Sequence, residues 1–216
     1  MKIFLDHANP EIIRRYSPVI DGVTTNPSLI AREPCFTGYQ EAIKQIASLV
    51  NGPVSIEVLS TDAEAMIREA EKLSSLSQNI AIKIPVGIEG FHAIKELTQK
   101  GIKTNATLIF SVNQALLAAK AGAGYLSIFV GRLDDTGQDG VSVVRDTVQV
   151  VKNYGFKSEV LAASIRHPLH VMQVALAGSH VATIPPGVID QMGKHPLTDR
   201  GLDIFQNDWK KGGKRE

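Results

Sequence analysis

The chain has 216 residues, of which 44% are hydrophobic and 21% charged, with a formal net charge of +1. A near-neutral chain of this length suits one domain with a substantial core and gives no reason to expect nucleic acid or an acidic membrane as a partner. The single cysteine, Cys35, excludes an internal disulfide framework, and with no signal-peptide pattern or membrane-length apolar run the sequence predicts a cytoplasmic protein.

Short apolar segments with strand character alternate with longer amphipathic segments of helical period. The predicted strands are Lys2–Asp6, Gly22–Asn26, Val54–Val58, Ile80–Ile84, Lys103–Ile109, Tyr125–Val130, Glu159–Ser164 and His180–Ile184. Predicted helices between them include Thr61–Leu76, Phe91–Lys100, Asn113–Ala121, Val141–Tyr154 and Leu169–Ala177. Strand–helix units repeated in this way favour an α/β fold, a single (β/α)8 TIM barrel. The competing fold is an open doubly wound sheet, which the lack of a Gly-rich first turn disfavours.

One amphipathic segment, Thr198–Lys211, remains after the last strand–helix unit. It predicts an additional C-terminal helix whose apolar residues either contact another subunit or pack on the chain's own barrel. Residues 1–211 are expected to form one barrel domain that includes this helix. The polar residues 212–216 are expected to form a disordered tail.

A lysine, Lys83, lies inside the fourth predicted strand, the apolar run Ile80–Ile84. Burial removes the hydration of an ammonium group and disfavours its charged form. A neutral amine is a nucleophile suited to forming a Schiff base with a carbonyl substrate. The alternative interpretation is a strand-end lysine whose ammonium group extends to water.

Polar side chains stand at the carboxyl ends of the predicted strands, where a barrel of this type places its reacting groups. Seven strands contribute them: Asp6, Asn26, Glu57, Lys83, Asn105 with Thr107, Ser127, and Ser164 with Arg166. Strand residues two apart share a face, so Asn105 and Thr107 are expected on one side, as are Ser127 and Phe129. A ring of such groups around a buried lysine predicts an active site.

Chemistry suggests roles for the charged members of this ring. Imine formation requires proton transfers, and Asp6 and Glu57 are the acids at the predicted strand ends around the lysine. Arg132 follows the sixth strand and Arg166 the seventh, so two guanidinium groups are expected to flank one phosphate. A histidine pair, His167 and His170, lacks a nearby carboxylate or cysteine in the sequence, so no metal site is predicted.

Six segments carry a specific resemblance to a known family: Phe4–Asp6, Gly22–Ser28, Ile82–Pro85, Lys103–Leu108, Phe129–Arg132 and Ala163–Arg166. In this order and at barrel-like spacing, they resemble the transaldolase family, in particular its short branch, which also contains the fructose-6-phosphate aldolases. The resemblance runs to Trp209, nearly the whole chain. It implies an enzyme that uses no metal or organic cofactor, binds sugar phosphates and assembles as pentamers or decamers through the C-terminal helix.

The resemblance also implies a role for each residue of the ring. Lys83 would form the Schiff base with a ketose phosphate and Asp6 would act as an acid/base, while Glu57 and Thr107 would handle the catalytic water. The remaining residues would bind substrate, namely Asn26, Asn105 and Ser127 for the hydroxyls of a dihydroxyacetone unit, Phe129 beside it, and Arg132, Ser164 and Arg166 for the phosphate.

Two positions bear on the activity within the family. Glu57 and Phe129 match the transaldolase pattern, whereas aldolases of the group have glutamine and tyrosine there. The implied function is transfer of a dihydroxyacetone unit from fructose 6-phosphate or sedoheptulose 7-phosphate to an aldose phosphate in the pentose phosphate pathway. The alternatives are a fructose-6-phosphate aldolase and a non-catalytic barrel that binds sugar phosphates. His7 departs from the family's threonine or serine and could compete with Asp6 as a proton carrier.

Overall fold

A computed structural model of the chain describes residues 1–212. Its strands form a closed barrel in which each strand runs parallel to its neighbours and the last strand pairs with the first. The strands are β1 (Lys2–Asp6), β2 (Gly22–Thr24), β3 (Val54–Glu57), β4 (Ile80–Pro85), β5 (Thr104–Ile109), β6 (Tyr125–Phe129), β7 (Glu159–Ala163) and β8 (Val181–Ile184). The predicted barrel is confirmed, and the open doubly wound sheet is wrong.

Helices follow every strand and form the outer layer of the barrel. They are α1 (Pro10–Tyr16), α2 (Pro27–Ala31), α3 (Tyr39–Ser48), α4 (Ala63–Ser74), α5 (Ile88–Gln99), α6 (Val112–Ala121), α7 (Val130–Asp134), α8 (Gly140–Tyr154), α9 (Pro168–Leu176), α10 (Pro186–Met192) and α11 (Pro196–Lys211). The helices named from the sequence are confirmed. Among the helices that the sequence analysis does not name, α2 and α7 have five residues each, too few to show a helical period.

The interior of the barrel is divided into an apolar layer and a polar layer. The apolar layer is built from Phe4, Ala81, Tyr125, Leu161 and Val181. Two residues further along the same strands lie Asp6, Lys83, Ser127, Ala163 and Thr183. Because strand residues two apart share a face, each apolar side chain fixes the inward direction of the residue after it. The packed layer thus supports the residues at the carboxyl ends of the strands.

The C-terminal helix α11 has no buried residue. Its apolar side chains are largely exposed, with Leu197 at 67%, Phe205 at 72% and Trp209 at 61%. Packing of this face on the chain's own barrel, one of the two predicted arrangements, is therefore not observed. No helix within residues 1–212 is long and apolar enough to cross a membrane. The tail prediction falls on residues 213–216, which lie outside the described residues, and on Gly212, the C-cap of α11.

Candidate active site

Lys83 is buried at the centre of the polar layer, with 7% of its surface exposed. Its Nζ donates to the carbonyl oxygen of Thr25 at 3.0 Å and lies 2.8 Å from Glu57 Oε2. The pairing of β3 with β4 places Glu57 directly beside Lys83. The interpretation as a lysine that extends to water is therefore wrong. The Glu57 carboxylate also places an acceptor for a proton directly beside the amine.

Asp6 lies at the end of β1 and is held by a chain of hydroxyl groups. Thr24 Oγ1 donates to Asp6 Oδ1 at 2.9 Å, and the hydroxyls of Thr24 and Thr183 are 2.5 Å apart. Burial raises the pKa of Asp6 above its ordinary value, although the Lys83 ammonium, the Thr24 hydroxyl and His7 act in the opposite direction. Asp6 is thus a carboxyl group whose affinity for a proton is increased, as an acid/base requires.

The two threonines beside Asp6 were not predicted as site residues. Thr24 lies two positions before Asn26, so strand alternation alone would have placed it on the same inward face. Thr183 belongs to β8, the strand for which no polar end residue was predicted. Thr183 lies two residues after the buried apolar Val181, and this spacing could have predicted its inward direction.

Asn105 and Ser127 are buried and hydrogen-bonded to each other, and Ser127 also lines the active-site cavity. Ser127 Oγ donates to Asn105 Oδ1 at 2.6 Å, and Asn105 Nδ2 donates to Ser55 Oγ at 3.0 Å. Thr107, on the same strand as Asn105, is also buried, but its hydroxyl has no hydrogen-bond partner among the described residues. A buried hydroxyl without a partner costs about 1–3 kcal/mol, so Thr107 offers a position for a water or a substrate hydroxyl.

These side chains surround a cavity of about 140 Å³ at the carboxyl end of the barrel. Its lining includes eight predicted site residues, Asp6, Asn26, Lys83, Thr107, Ser127, Phe129, Arg132 and Ser164, and also Thr24, Ala163 and Thr183. A mouth cavity of about 510 Å³ adjoins it and shares Asn26, Lys83, Phe129 and Arg132. The mouth adds Pro27, Ser28, Leu29, Arg32, Glu57 and Leu108. The structure therefore brings most of the predicted ring into one site.

Asn26 links the site to helix α2. Its Oδ1 accepts the backbone N–H of Leu29 at 2.9 Å, which caps the helix, and Pro27 occupies the first helical position. With the oxygen used by the cap, the side-chain NH2 group supplies the hydrogen-bond donors of Asn26 to the cavity. The sequence Asn-Pro thus starts the helix and fixes a donor in the site at the same time.

The two predicted phosphate-binding arginines occupy different surroundings. Arg132, on α7, lines the cavity with its guanidinium carbon 5.1 Å from the centre of the Phe129 ring. Arg166 is exposed, its Nη2 lies 2.7 Å from Asp135 Oδ2, and it is not among the residues that line the cavity. The structure therefore brings Arg132 to the site and leaves Arg166 on an ion pair outside it.

Ser164 has a left-handed backbone, with φ of 58°. Its carbonyl accepts the N–H of Gly131 at 3.1 Å, which ties the end of β7 to α7. A Cβ at position 131 would lie 2.3 Å from that carbonyl oxygen, so only glycine allows this approach. The strained serine and the glycine together set the spacing between Ser164 and Arg132.

The histidines have structural roles in hydrogen bonding. His7 Nδ1 accepts the N–H of Asn9 at 2.9 Å, and His7 does not line the cavity. His170 Nε2 lies 2.7 Å from Asp134 Oδ2, a carboxylate that is distant from it in the sequence. Burial lowers the pKa of His170, helped by His167 and opposed by Asp134. In residues 1–212, no group of three or more His, Cys, Asp or Glu side chains is placed to hold a metal ion.

Comparison with known proteins agrees with this geometry. A family model described as transaldolase/fructose-6-phosphate aldolase matches residues 3–215. The chain belongs to this family. Curated relatives named "probable transaldolase" include those of Thermoanaerobacter sp. (strain X514), 53% identical over 99% of both chains, and Desulforamulus reducens, 55% identical over 98% of both. A relative of the same name from Methanococcus maripaludis (strain C7) is 53% identical over 97% of both chains.

A solved structure shows the same fold at much lower sequence identity. It is described as a lactate oxidase of Pediococcus acidilactici and is 12% identical, with a TM-score of 0.60. The match covers 85% of this chain and 62% of the other. At that identity the likeness concerns the barrel fold alone, and the family assignment rests on the sequence relatives.

Proposed function

We propose that the protein is a transaldolase that transfers a dihydroxyacetone unit from a ketose phosphate to an aldose phosphate through a Schiff base on Lys83. The donors would be fructose 6-phosphate or sedoheptulose 7-phosphate, as in the pentose phosphate pathway. The observation that carries the proposal is the buried Lys83 amine, 2.8 Å from the Glu57 carboxylate, within a ring of polar strand ends. The names of the relatives support the same reaction.

The first half of the reaction begins at the ion pair. Glu57 accepts a proton from the Lys83 ammonium, and the neutral amine attacks the C2 carbonyl carbon of the ketose. The resulting carbinolamine loses its hydroxyl as water, with the proton returned by Glu57 and the water held near the unpartnered hydroxyl of Thr107. The product is an iminium ion, which can accept the electron pair of a breaking carbon–carbon bond.

The second half transfers the three-carbon unit. The ionised Asp6 accepts the proton of the C4 hydroxyl, the C3–C4 bond breaks, and the aldose phosphate leaves. The electron pair remains on the enzyme as an enamine, which attacks the aldehyde carbon of the acceptor while Asp6 returns the proton. Hydrolysis of the new iminium ion releases the product ketose phosphate, three carbons longer than the acceptor, and restores Lys83.

The substrate-binding residues fit the parts of such a ketose. Asn26 and the Asn105–Ser127 pair lie beside Lys83, where the hydroxyls of the dihydroxyacetone unit would be. Arg132 and Ser164 line the same cavity and would bind the phosphate. Arg166 could join them only by leaving Asp135, and an exposed ion pair of this kind is weak enough to be exchanged.

The proposal is tested by measuring fructose 6-phosphate turnover with and without erythrose 4-phosphate. We expect turnover that requires the acceptor and little free dihydroxyacetone. Sustained release of dihydroxyacetone without acceptor would instead establish the aldolase alternative. If borohydride traps no ketose adduct at all, the protein is a non-catalytic barrel.

Phe129 is expected to keep the enamine waiting for an acceptor, because a phenyl ring beside the site has no proton to donate. The variant Phe129→Tyr should raise dihydroxyacetone release in the absence of acceptor by about ten-fold or more, since a positioned phenol can protonate the enamine. The control is Phe110→Tyr, because the Phe110 ring lies 5.8 Å from that of Phe129 but does not line the cavity. Equal release by both variants would contradict this role.

We also propose that α11 contacts a neighbouring subunit, in the pentamer or decamer that the family resemblance implies. Its exposed apolar side chains are the support for this proposal, because burial of such a face in an interface removes it from water.

Substitution of Phe205 by aspartate should therefore lower the mass of the assembly in light scattering coupled to size exclusion. A charge in the buried centre of an interface is strongly unfavourable. Tyr154→Asp is the matched control, because Tyr154 lies on α8 and is 72% exposed, as is Phe205. An unchanged mass for Phe205→Asp would contradict the assignment of α11 as an interface.

A further inference from the structure

Arg32 lines the mouth of the active-site cavity, and the reaction described above does not use it. It is the C-cap of α2, the helix that Asn26 starts inside the site. At about 1.5 Å per residue, the six residues from Asn26 to Arg32 span about 9 Å along this helix. One short helix thus connects a donor near the reacting carbons with a cation at the entrance.

The guanidinium groups of Arg32 and Arg132 reach the mouth from opposite walls. Arg32 follows β2 and Arg132 follows β6, strands that lie opposite each other in the closed barrel of eight. Lys83 and Glu57 also line the mouth, but they form an ion pair with each other. The ion pairs within residues 1–212 involve neither Arg32 nor Arg132, so both cations are available to an anion.

The backbone that carries Arg32 is fixed by its neighbour Glu33. Glu33 Oε2 accepts a hydrogen bond from Asn9 Nδ2 at 2.7 Å, and the Glu33 N–H donates to Ile30 at 3.1 Å. These contacts tie the end of α2 to the loop after β1. A side chain on a fixed backbone loses less conformational freedom when it binds a ligand, which favours a binding role for Arg32.

We infer that Arg32 binds the phosphate of the incoming aldose phosphate, opposite Arg132, and so selects phosphorylated acceptors. This inference rests on the proposed transaldolase function. The inner cavity of about 140 Å³ suits the three-carbon unit on Lys83, whereas the mouth of about 510 Å³, which shares Arg132 with it, lies where the phosphate end of an aldose, leaving or incoming, would extend. A guanidinium group binds phosphate through two parallel hydrogen bonds. An unphosphorylated acceptor has a neutral hydroxyl in place of the phosphate and cannot form this interaction.

The test compares two acceptors in the variant Arg32→Gln. With erythrose 4-phosphate, kcat/KM should fall by about ten- to hundred-fold, the size expected when a hydrogen bond to a charged group is lost. With unphosphorylated erythrose, kcat/KM should be unchanged. Inorganic phosphate should inhibit the parent enzyme competitively and inhibit Arg32→Gln less. Arg14→Gln removes the same charge from an exposed position on α1 that does not line the cavity, and it should leave all three measurements unchanged.

Borohydride trapping with dihydroxyacetone separates the failure of this inference from that of the proposed function. If the parent protein traps no adduct, the transaldolase function fails and the inference about Arg32 fails with it. If both proteins trap the adduct but Arg32→Gln keeps its preference for erythrose 4-phosphate, only the inference about Arg32 is overturned. An equal loss with both acceptors would likewise show that Arg32 supports the site and does not select phosphate.

Discussion

Replacement of Lys83 by methionine should abolish turnover of fructose 6-phosphate, with a loss of at least about a thousand-fold, because no other group can form the imine. Borohydride should then trap no dihydroxyacetone adduct, as measured by intact-protein mass. The linear methionine side chain fills a similar volume to that of lysine. Glu57 loses its ion-pair partner in this variant, but Glu57 is only partly buried, so the barrel should still fold. Circular dichroism checks that condition.

Lys103 provides the control for this experiment. Burial lowers the pKa of Lys103; the Glu159 carboxylate acts in the opposite direction and the Lys2 ammonium in the same one. A lysine with a lowered pKa is a candidate nucleophile on that ground alone. Its Nζ, however, lies 2.8 Å from the Tyr125 hydroxyl at the amino-terminal end of the barrel, below the apolar layer. Lys103→Met should therefore keep the adduct that Lys83→Met loses. A trapped adduct in folded Lys83→Met would overturn the assignment of the nucleophile.

The second large effect is expected for Asp6→Asn, which keeps the shape of the side chain and removes its ability to exchange a proton. We expect kcat for transfer to fall by about 10²- to 10⁴-fold, the usual contribution of general acid–base catalysis. Adduct formation on Lys83 should persist, because the proposed mechanism assigns the proton transfers of that step to Glu57. A variant that retains parental kcat would show that Asp6 is not the acid/base.

The same variant should be more stable than the parent at neutral pH. Because the pKa of Asp6 is raised in the folded protein, the folded state binds its proton more tightly than the unfolded state. The stability that Asp6 contributes is therefore fully present below the ordinary pKa of 3.8 and is lost as the pH rises through the raised value. The excess stability of Asp6→Asn should grow over that window and then level off.

Thermal unfolding of Asp6→Asn and the parent across this pH range measures the difference. Asp146→Asn, an exposed substitution on α8, is the control and should show no such trend. A stability difference that shrinks as the pH rises would mean that ionised Asp6 stabilises the fold, against the direction of its pKa.

The fold could be predicted because the strand signal and the alternation of side chains are local properties of the sequence. For Asp6, Lys83 and Ser127, the buried apolar residue two positions earlier, such as Ala81 before Lys83, indicates the inward face. The direction of Arg166 could not be predicted, because it depends on Asp135, which belongs to a different loop. Thr24 and Thr183 were missed although strand alternation places them two positions from Asn26 and Val181, and Arg32 was missed because α2 shows no periodic pattern.

The hydroxyl chain at Asp6 has a consequence for how the active enzyme arises during folding. Asp6 is on β1, Thr24 on β2 and Thr183 on β8. These hydrogen bonds therefore connect residues on both sides of the junction where the first strand pairs with the last. Such pairing between the first and last strands is the contact of longest sequence separation in a barrel and is entropically costly. We therefore expect catalytic competence to develop only when the first and last strands pair, so that the return of activity during refolding reports closure of the barrel.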